Sequence, residues 1–166
     1  MRAGIALGSN LGDRLANLRQ ARQDIAQLKN VRLPLVSSPA YETDPVRCEE
    51  GAPRFLNAVL EVEYGGEAYE LLLALEAIER ALGRPVVHAQ NVSRLIDLDL
   101  LYFGQLKLNT AELQLPHPRM MQREFVLRPL SDINAELILP DQTESVGALV
   151  RRFPKSEAVV RFAEEW

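Results

Sequence analysis

The sequence predicts an α+β fold, an antiparallel sheet with helices packed on it, and three observations carry that reading. Segments of strand periodicity and segments of helix periodicity follow one another as strand, helix, strand, strand, helix, strand. The chain has 166 residues, 47% of them hydrophobic, which is the size of one globular domain with a sizeable core across 1–166. No run of eighteen or more apolar residues occurs, so no membrane-spanning helix is expected.

Ala3 to Gly8 reads as a short buried strand, broken at Gly8-Ser9-Asn10-Leu11-Gly12. Leu15, Leu18, Ala21, Ile25 and Leu28 then recur at helical spacing, with Asp13 placed to stabilise the helix N-terminus. A second strand is expected between Val31 and Tyr41, interrupted by Pro34 and Pro39, followed by a long exposed loop from Thr43 to Pro53. Arg54 to Tyr64 alternates, with Leu56, Ala58, Leu60 and Val62 on the core face and Phe55, Asn57, Val59 and Glu61 on the other. Glu67 to Leu82 is an amphipathic helix stopped by Gly83 and Pro85. Leu95 to Tyr102 is the last strand of the series. This order is that of a ferredoxin-like split βαβ sandwich. Beyond it come a proline-framed turn, Leu115-Pro116-His117-Pro118-Arg119, and two short helices outside the sheet, Phe125 to Leu130 and Val146 to Phe153.

Charge and composition exclude several functions. A net charge of -4 argues against a broad nucleic-acid surface, which needs a basic stripe. Cys48 stands alone and His88 and His117 are far apart, so neither a disulfide framework nor a zinc motif is expected. The start Met1 to Gly8 is too poor in apolar residues for a signal peptide, and a cytoplasmic protein is expected. Sixteen of the 19 basic residues are arginine, a bias that both phosphate binding and a GC-rich gene would produce.

The most informative stretch is Arg94-Leu95-Ile96-Asp97-Leu98-Asp99-Leu100-Leu101. Two carboxylates inside an apolar run need a cation. On a strand, Asp97 and Asp99 project from one face and Ile96, Leu98 and Leu100 from the other, so the acids start roughly 6.5–7 Å apart and point the same way. All-oxygen ligation favours magnesium or manganese. Two acids shown to water on an edge strand would look the same. Arg84 and Arg94 bracket the loop that enters this strand, the placement that a polyphosphate with its metal requires. Phe55 and Asn57 share a face on which a flat heterocycle could stack and hydrogen-bond, although cross-strand packing also explains them. Gly8 to Asp13 lacks the lysine and hydroxyl of a P-loop and reads as a tight turn. His117 suits either a phosphate contact or a turn lock.

Together these pieces resemble the 6-hydroxymethyl-7,8-dihydropterin pyrophosphokinase family of folate biosynthesis. The matching stretches are Ala6 to Gly12, Ser37-Ser38 through Tyr41-Glu42-Thr43, Phe55 to Ala58, Arg94 to Leu101, Pro116 to Met120 and Arg123 to Pro129. The resemblance implies a ferredoxin-like fold and transfer of the β,γ-pyrophosphoryl group of ATP to the hydroxymethyl group of a reduced pterin, releasing AMP. It implies that Asp97 and Asp99 hold two magnesium ions, that Arg84, Arg94 and Arg123 bind phosphate, and that Arg84 and Arg94 share the catalytic role with the two acids. Glu79, Leu100 and His117 fall on the nucleotide side, while Phe55 and Phe125 sandwich the pterin, Asn57 bonds its polar edge, and Thr43, Asp44 and Val46 line the same pocket. The partners implied are ATP and the pterin alone, with no nucleic acid or membrane, and the protein is expected to be a monomer.

One stretch departs from the family pattern. Asn91 stands where tryptophan is usual, Val92-Ser93 where Gly-Pro is usual, and Val86 where a second loop arginine is common. Loop closure over Thr43 to Pro53 and Arg84 to Ser93 is the step that this affects, since one charge-assisted contact is worth about 1.5–3 kcal/mol. The competing reading is therefore a paralogue with altered pterin specificity, or a non-catalytic pterin- or nucleotide-binding protein.

Overall fold

The computed structural model describes residues 1–45, 51–83, 93–154 and 158–166. Its first helix, α1 (Arg14–Ala26), follows strand β1 (Arg2–Ser9) and starts where Asp13 caps it, the carboxylate accepting from Ala16 N at 3.0 Å. Strands β2 (Val31–Ser37), β3 (Ala40–Thr43) and β4 (Phe55–Tyr64) come next, then α2 (Ala68–Ala81) and β5 (Asp97–Phe103). At the start of α2 the Glu70 carboxylate accepts from Glu67 N at 3.1 Å. The helix stops at Gly83, whose φ of 100° suits only glycine. A small hairpin of β6 (Leu108–Asn109) and β7 (Gln114–Leu115) precedes α3 (Glu124–Asn134), α4 (Val146–Val150) and β8 (Val159–Ala163).

The main sheet runs β5-β1-β4-β3-β8, with β2 paired to β4 beside β3, and every pairing is antiparallel. The expected α+β arrangement is the observed one. Ile5, Leu7, Leu56, Leu60, Leu98 and Leu100 face α1 and α2, where they meet Leu18, Ile25, Leu71 and Leu75 in the main core. Burying one such side chain contributes about 1.5–3 kcal/mol.

The hairpin β6–β7 and strand β8 are not among the elements the sequence predicts, and three further features differ from expectation, each for a physical reason. The segment Val31 to Tyr41 is two strands, because Ser38-Pro39 turns the chain and the β2 register slips between Arg32 and Val36, across Pro34. The last strand of the series begins at Asp97 and not at Leu95, so the two acids sit at its mouth. The face of β4 read as lying away from the core carries a second one: Val59, Leu101 and Tyr102 pack beneath Val126, Leu127 and Leu130 of α3 and Val146 of α4. A register slip between Gly4 and Ile5 turns Leu101 and Tyr102 to this same face. Gly4 is required there, since a Cβ would lie 2.1 Å from the Tyr102 ring. Glu61, also on this face, is buried with three partners: Tyr102 Oη at 2.5 Å, Asn134 Nδ2 at 2.7 Å and Arg2 Nη1 at 3.5 Å.

Candidate active site

Beyond the start of α3 no described element covers the second face of the sheet, and side chains from five elements line the cleft there. β5 supplies Asp97 and Asp99, paired in register with Gly8 and Ala6 of β1. β4 supplies Phe55 and Asn57, and Asn57 lies opposite Gly8. A Cβ on Gly8 would meet Asn57 Oδ1 at 3.1 Å, so glycine keeps this floor open. β3 ends in Thr43, whose hydroxyl accepts from Asn57 Nδ2 at 2.7 Å with both residues buried. Arg123 and Phe125 enter from the head of α3, the guanidinium lying 5.6 Å from the centre of the Phe125 ring.

The charges alternate. Arg94 Nη1 stands 3.1 Å from Asp97 Oδ1, and Arg123 Nη1 stands 3.1 Å from Asp99 Oδ2. All four side chains are partly shielded, so the pairs interact more strongly than surface ion pairs would. Arg94 Nε is buried and has no hydrogen-bond partner among the described residues, which leaves one N–H for an incoming oxygen. His117 sits behind Asp99, Nε2 to Oδ2 4.0 Å. Its Nδ1 accepts from Arg119 N at 3.2 Å, and its own backbone N donates to Leu101 O at 2.8 Å, so the proline-framed turn is docked on β5. Burial pushes the imidazole pKa down against the pull of Asp99, which keeps the ring neutral.

The cleft thus brings together Thr43, Asp44, Phe55, Asn57, Arg94, Asp97, Asp99, Arg123 and Phe125. Two nucleotide-side expectations fall elsewhere. Leu100 points its side chain into the main core, and Glu79, buried on α2, accepts from Leu98 N at 2.7 Å and so backs β5 from behind. Arg84 and Val46 lie outside the described residues, as do the divergent loop positions from Val86 to Val92.

Sequence reasoning missed Asn10. Only 1% exposed, its Oδ1 accepts from Arg94 N at 2.7 Å while Nδ2 donates to Ser93 Oγ at 2.9 Å and to Pro53 O at 3.3 Å. One amide thereby holds the chain entering β5 and the chain entering β4. The signal was an asparagine between two turn glycines, read as turn chemistry alone. The cleft edge is also braced: Arg54 Nε donates to Asp44 Oδ1 at 2.7 Å, and Arg14 Nη1 to Glu42 Oε1 at 2.9 Å.

Comparison with known proteins decides the family. The family model described as 7,8-dihydro-6-hydroxymethylpterin-pyrophosphokinase matches residues 4–135. The chain belongs to this pyrophosphokinase family. The Bacillus subtilis 2-amino-4-hydroxy-6-hydroxymethyldihydropteridine pyrophosphokinase is 45% identical over 131 residues, 79% of this chain and 77% of that protein. Its Pseudomonas aeruginosa counterpart is 39% identical over 140 residues, 84% of this chain and 85% of that one. Folic acid synthesis protein fol1 of Pneumocystis carinii is 38% identical over 136 residues, but the chain spans only 18% of its length. In solved structures, Plasmodium falciparum HPPK-DHPS with pterin and p-hydroxybenzoate has the same fold, with a TM-score of 0.74 at 15% identity over 96% of this chain and 46% of that one. Membership makes the chain an ATP-dependent diphosphotransferase of folate biosynthesis, and the non-catalytic alternative is not favoured. Among the described residues no helix is long and apolar enough to cross a membrane.

Proposed function

We propose that this cleft transfers the β,γ-pyrophosphoryl group of ATP to the hydroxyl of 6-hydroxymethyl-7,8-dihydropterin, with Asp97, Asp99, Arg94 and Arg123 handling the triphosphate and Phe55, Phe125, Asn57, Thr43 and Asp44 handling the ring. The observation that carries this reading is one cleft lined by two acid–arginine pairs together with an amide and two phenylalanines. The pterin oxygen attacks the β-phosphorus, the bond to the oxygen of the α-phosphate breaks, and AMP leaves with that oxygen while the hydroxyl proton is released. Such a charge-spread transferring group calls for positioning and electrostatic clamps more than for covalent help.

Magnesium fits the donor set. Among the described residues no third His, Cys, Asp or Glu joins the two acids, so water and phosphate oxygens complete the shell, as magnesium prefers. When bound, the ion neutralises phosphate charge and lowers the pKa of the attacking hydroxyl. Arg94 and Arg123 exchange their aspartate partners for phosphate oxygens, and Asn10 keeps Arg94 in place during that exchange. Asn57, oriented by Thr43, offers its amide oxygen to the polar edge of the ring. Glu79 and Leu100 contribute by fixing β5 from behind, and His117 as a neutral Nε2–H donor beside Asp99. Arg84 and Val46 complete the phosphate and ring contacts by family position.

Further expectations belong to this reading. Two carboxylates on one strand face suit two ions, and a monomer is the state expected from the family. The lone Cys48 agrees with a reducing cytoplasm, and one pyrophosphokinase-like domain spans 1–166. Purified protein given magnesium, ATP and the pterin should release AMP in step with the pterin diphosphate. Release of ADP, or no turnover, overturns the proposal.

A further inference from the structure

Away from the cleft, α3 is joined to the sheet by a second polar cluster. Asp132, in the last turns of α3, accepts from Tyr41 Oη at 2.5 Å through Oδ2 and from Arg161 Nη2 at 2.6 Å through Oδ1. Arg161 Nε closes the triangle by donating to Tyr41 Oη at 2.9 Å, and its Nη1 is held by the Glu164 carboxylate at 3.1 Å. Both oxygens of Asp132 and all three guanidinium nitrogens are therefore occupied. Burial, followed by the hydrogen bond to Asp132, pushes the Tyr41 pKa up to about 12, so its hydroxyl remains a donor.

The placement of the triangle is what ties it to the cleft. Tyr41 lies on β3 two residues before Thr43 and on the same strand face, paired in register with Asn57. Asp132 lies on α3 seven residues after Phe125, two turns along the same helix face and about 10.5 Å away. One end of this β3–α3 junction is the triangle; the other is the slot between Thr43, Asn57, Phe55 and Phe125. On the nucleotide side Arg123 has its own anchor at Asp99, whereas Phe125 rides on α3, which packs over β4 through Val126, Leu127 and Leu130 and is bonded to β3 at its Asp132 end. Arg161 comes from β8, an edge strand paired with β3 alone and lying beyond the matched family span of 4–135.

We propose that Arg161 is a positioning residue for the ring slot, bridging Tyr41 and Asp132 so that α3 presents Phe125 squarely to Thr43 and Asn57. Its side chain is 48% exposed, and an exposed ion pair contributes little to global stability, so the effect is on alignment. This inference rests on the ring being held between Phe55 and Phe125.

Arg161→Gln should raise KM for the pterin about five- to tenfold, as small misplacements of a binding wall do, with KM for ATP, kcat and the melting temperature near those of the parent. Arg161→Lys, which can still reach Asp132, should recover part of the loss. Tyr41→Phe, which keeps the ring and removes only the shared hydroxyl, should shift pterin KM in the same direction and serves if Arg161→Gln folds poorly. An unchanged pterin KM in folded variants, or equal rises in both KM values together with a lowered melting temperature, overturns the positioning role. Absence of AMP production by the parent itself instead overturns the reading of the cleft.

Discussion

The two faces of this sheet are built on opposite terms. Toward α1 and α2 the strands show an unbroken apolar surface, with Ile5, Leu7, Leu56, Leu60 and Ile96 essentially removed from water. Toward α3 the same strands bury Val59, Leu101 and Tyr102 with Ala6 beside them, and then carry Gly8, Phe55, Asn57, Asp97 and Asp99. Lengths explain the difference. Eleven residues of α3 make about 16 Å of helix, whereas ten residues of β4 extend about 33 Å, so α3, even with Val146 of α4 beside it, is too short to cover the whole strand. What the described residues leave uncovered is the candidate cleft, and the fully covered face lies behind it. The proposed function occupies the surface that packing does not need.

Substitutions on alternate residues of β5 test this division most strongly. Asp97→Ala should reduce magnesium-dependent AMP release by about a hundredfold or more, as loss of an electrostatic clamp does, while the melting temperature stays close to that of the parent. Leu98→Ala, one residue on and facing α2, should cost about 2–5 kcal/mol of stability while the molecules that remain folded keep their turnover. Measuring AMP release and urea unfolding on both proteins separates the faces. A large stability loss in Asp97→Ala with activity retained would show that the acid serves packing.

The glycines of β1 sharpen the comparison with a smaller expected effect. Gly4 lies under the Tyr102 ring, and alanine there overpacks a buried site, which costs about 1–3 kcal/mol, because the ring is held by its bond to Glu61. Gly8 lies under the cleft, where an added methyl is tight only against the Asn57 amide oxygen at 3.1 Å and meets the Phe55 ring and Asp97 Cβ at ordinary contact distances. Gly8→Ala should therefore raise pterin KM and leave unfolding nearly unaltered, and Gly4→Ala should do the reverse. Equal melting temperatures for the two variants would break the distinction.

Much of this was legible because it is local and one-sided. The alternation of β1, β4 and β5 and the helix periods of α1 and α2 all record burial against one core, and two aspartates in an apolar run stand out against that background. What could not be read depends on partners far along the chain. β8 is five residues of mixed character that become a strand only by pairing with β3, and the bonds of Asn10 to Ser93 and Arg94 span more than eighty residues. Val59 and Glu61 follow the strand period, but nothing local says that α3 will cover them. The divergent positions from Val86 to Val92 lie outside the described residues, so their effect on turnover rests on the family pattern.

The smallest effect separates the polar cluster of α3 from the apolar core through pH. Tyr41 titrates at about 12 in the folded protein, against an ordinary value near 10 in the unfolded chain. Because the folded value is the higher one, the unfolded state gives up this proton first as pH rises. The contribution of the hydroxyl is therefore complete below pH about 10 and is lost progressively as pH climbs toward 12. Tyr41→Phe has no proton to lose and should lack this component of the alkaline decline, while showing the same stability trend as the parent between pH 6 and 9. Unfolding midpoints measured across that alkaline window check it. If parent and variant decline in parallel above pH 10, the hydroxyl carries no such linkage and titration of Tyr41 adds nothing to the hold that Val126, Leu127, Leu130 and the bonds of Asp132 to Arg161 and Asn134 to Glu61 give α3 on the sheet.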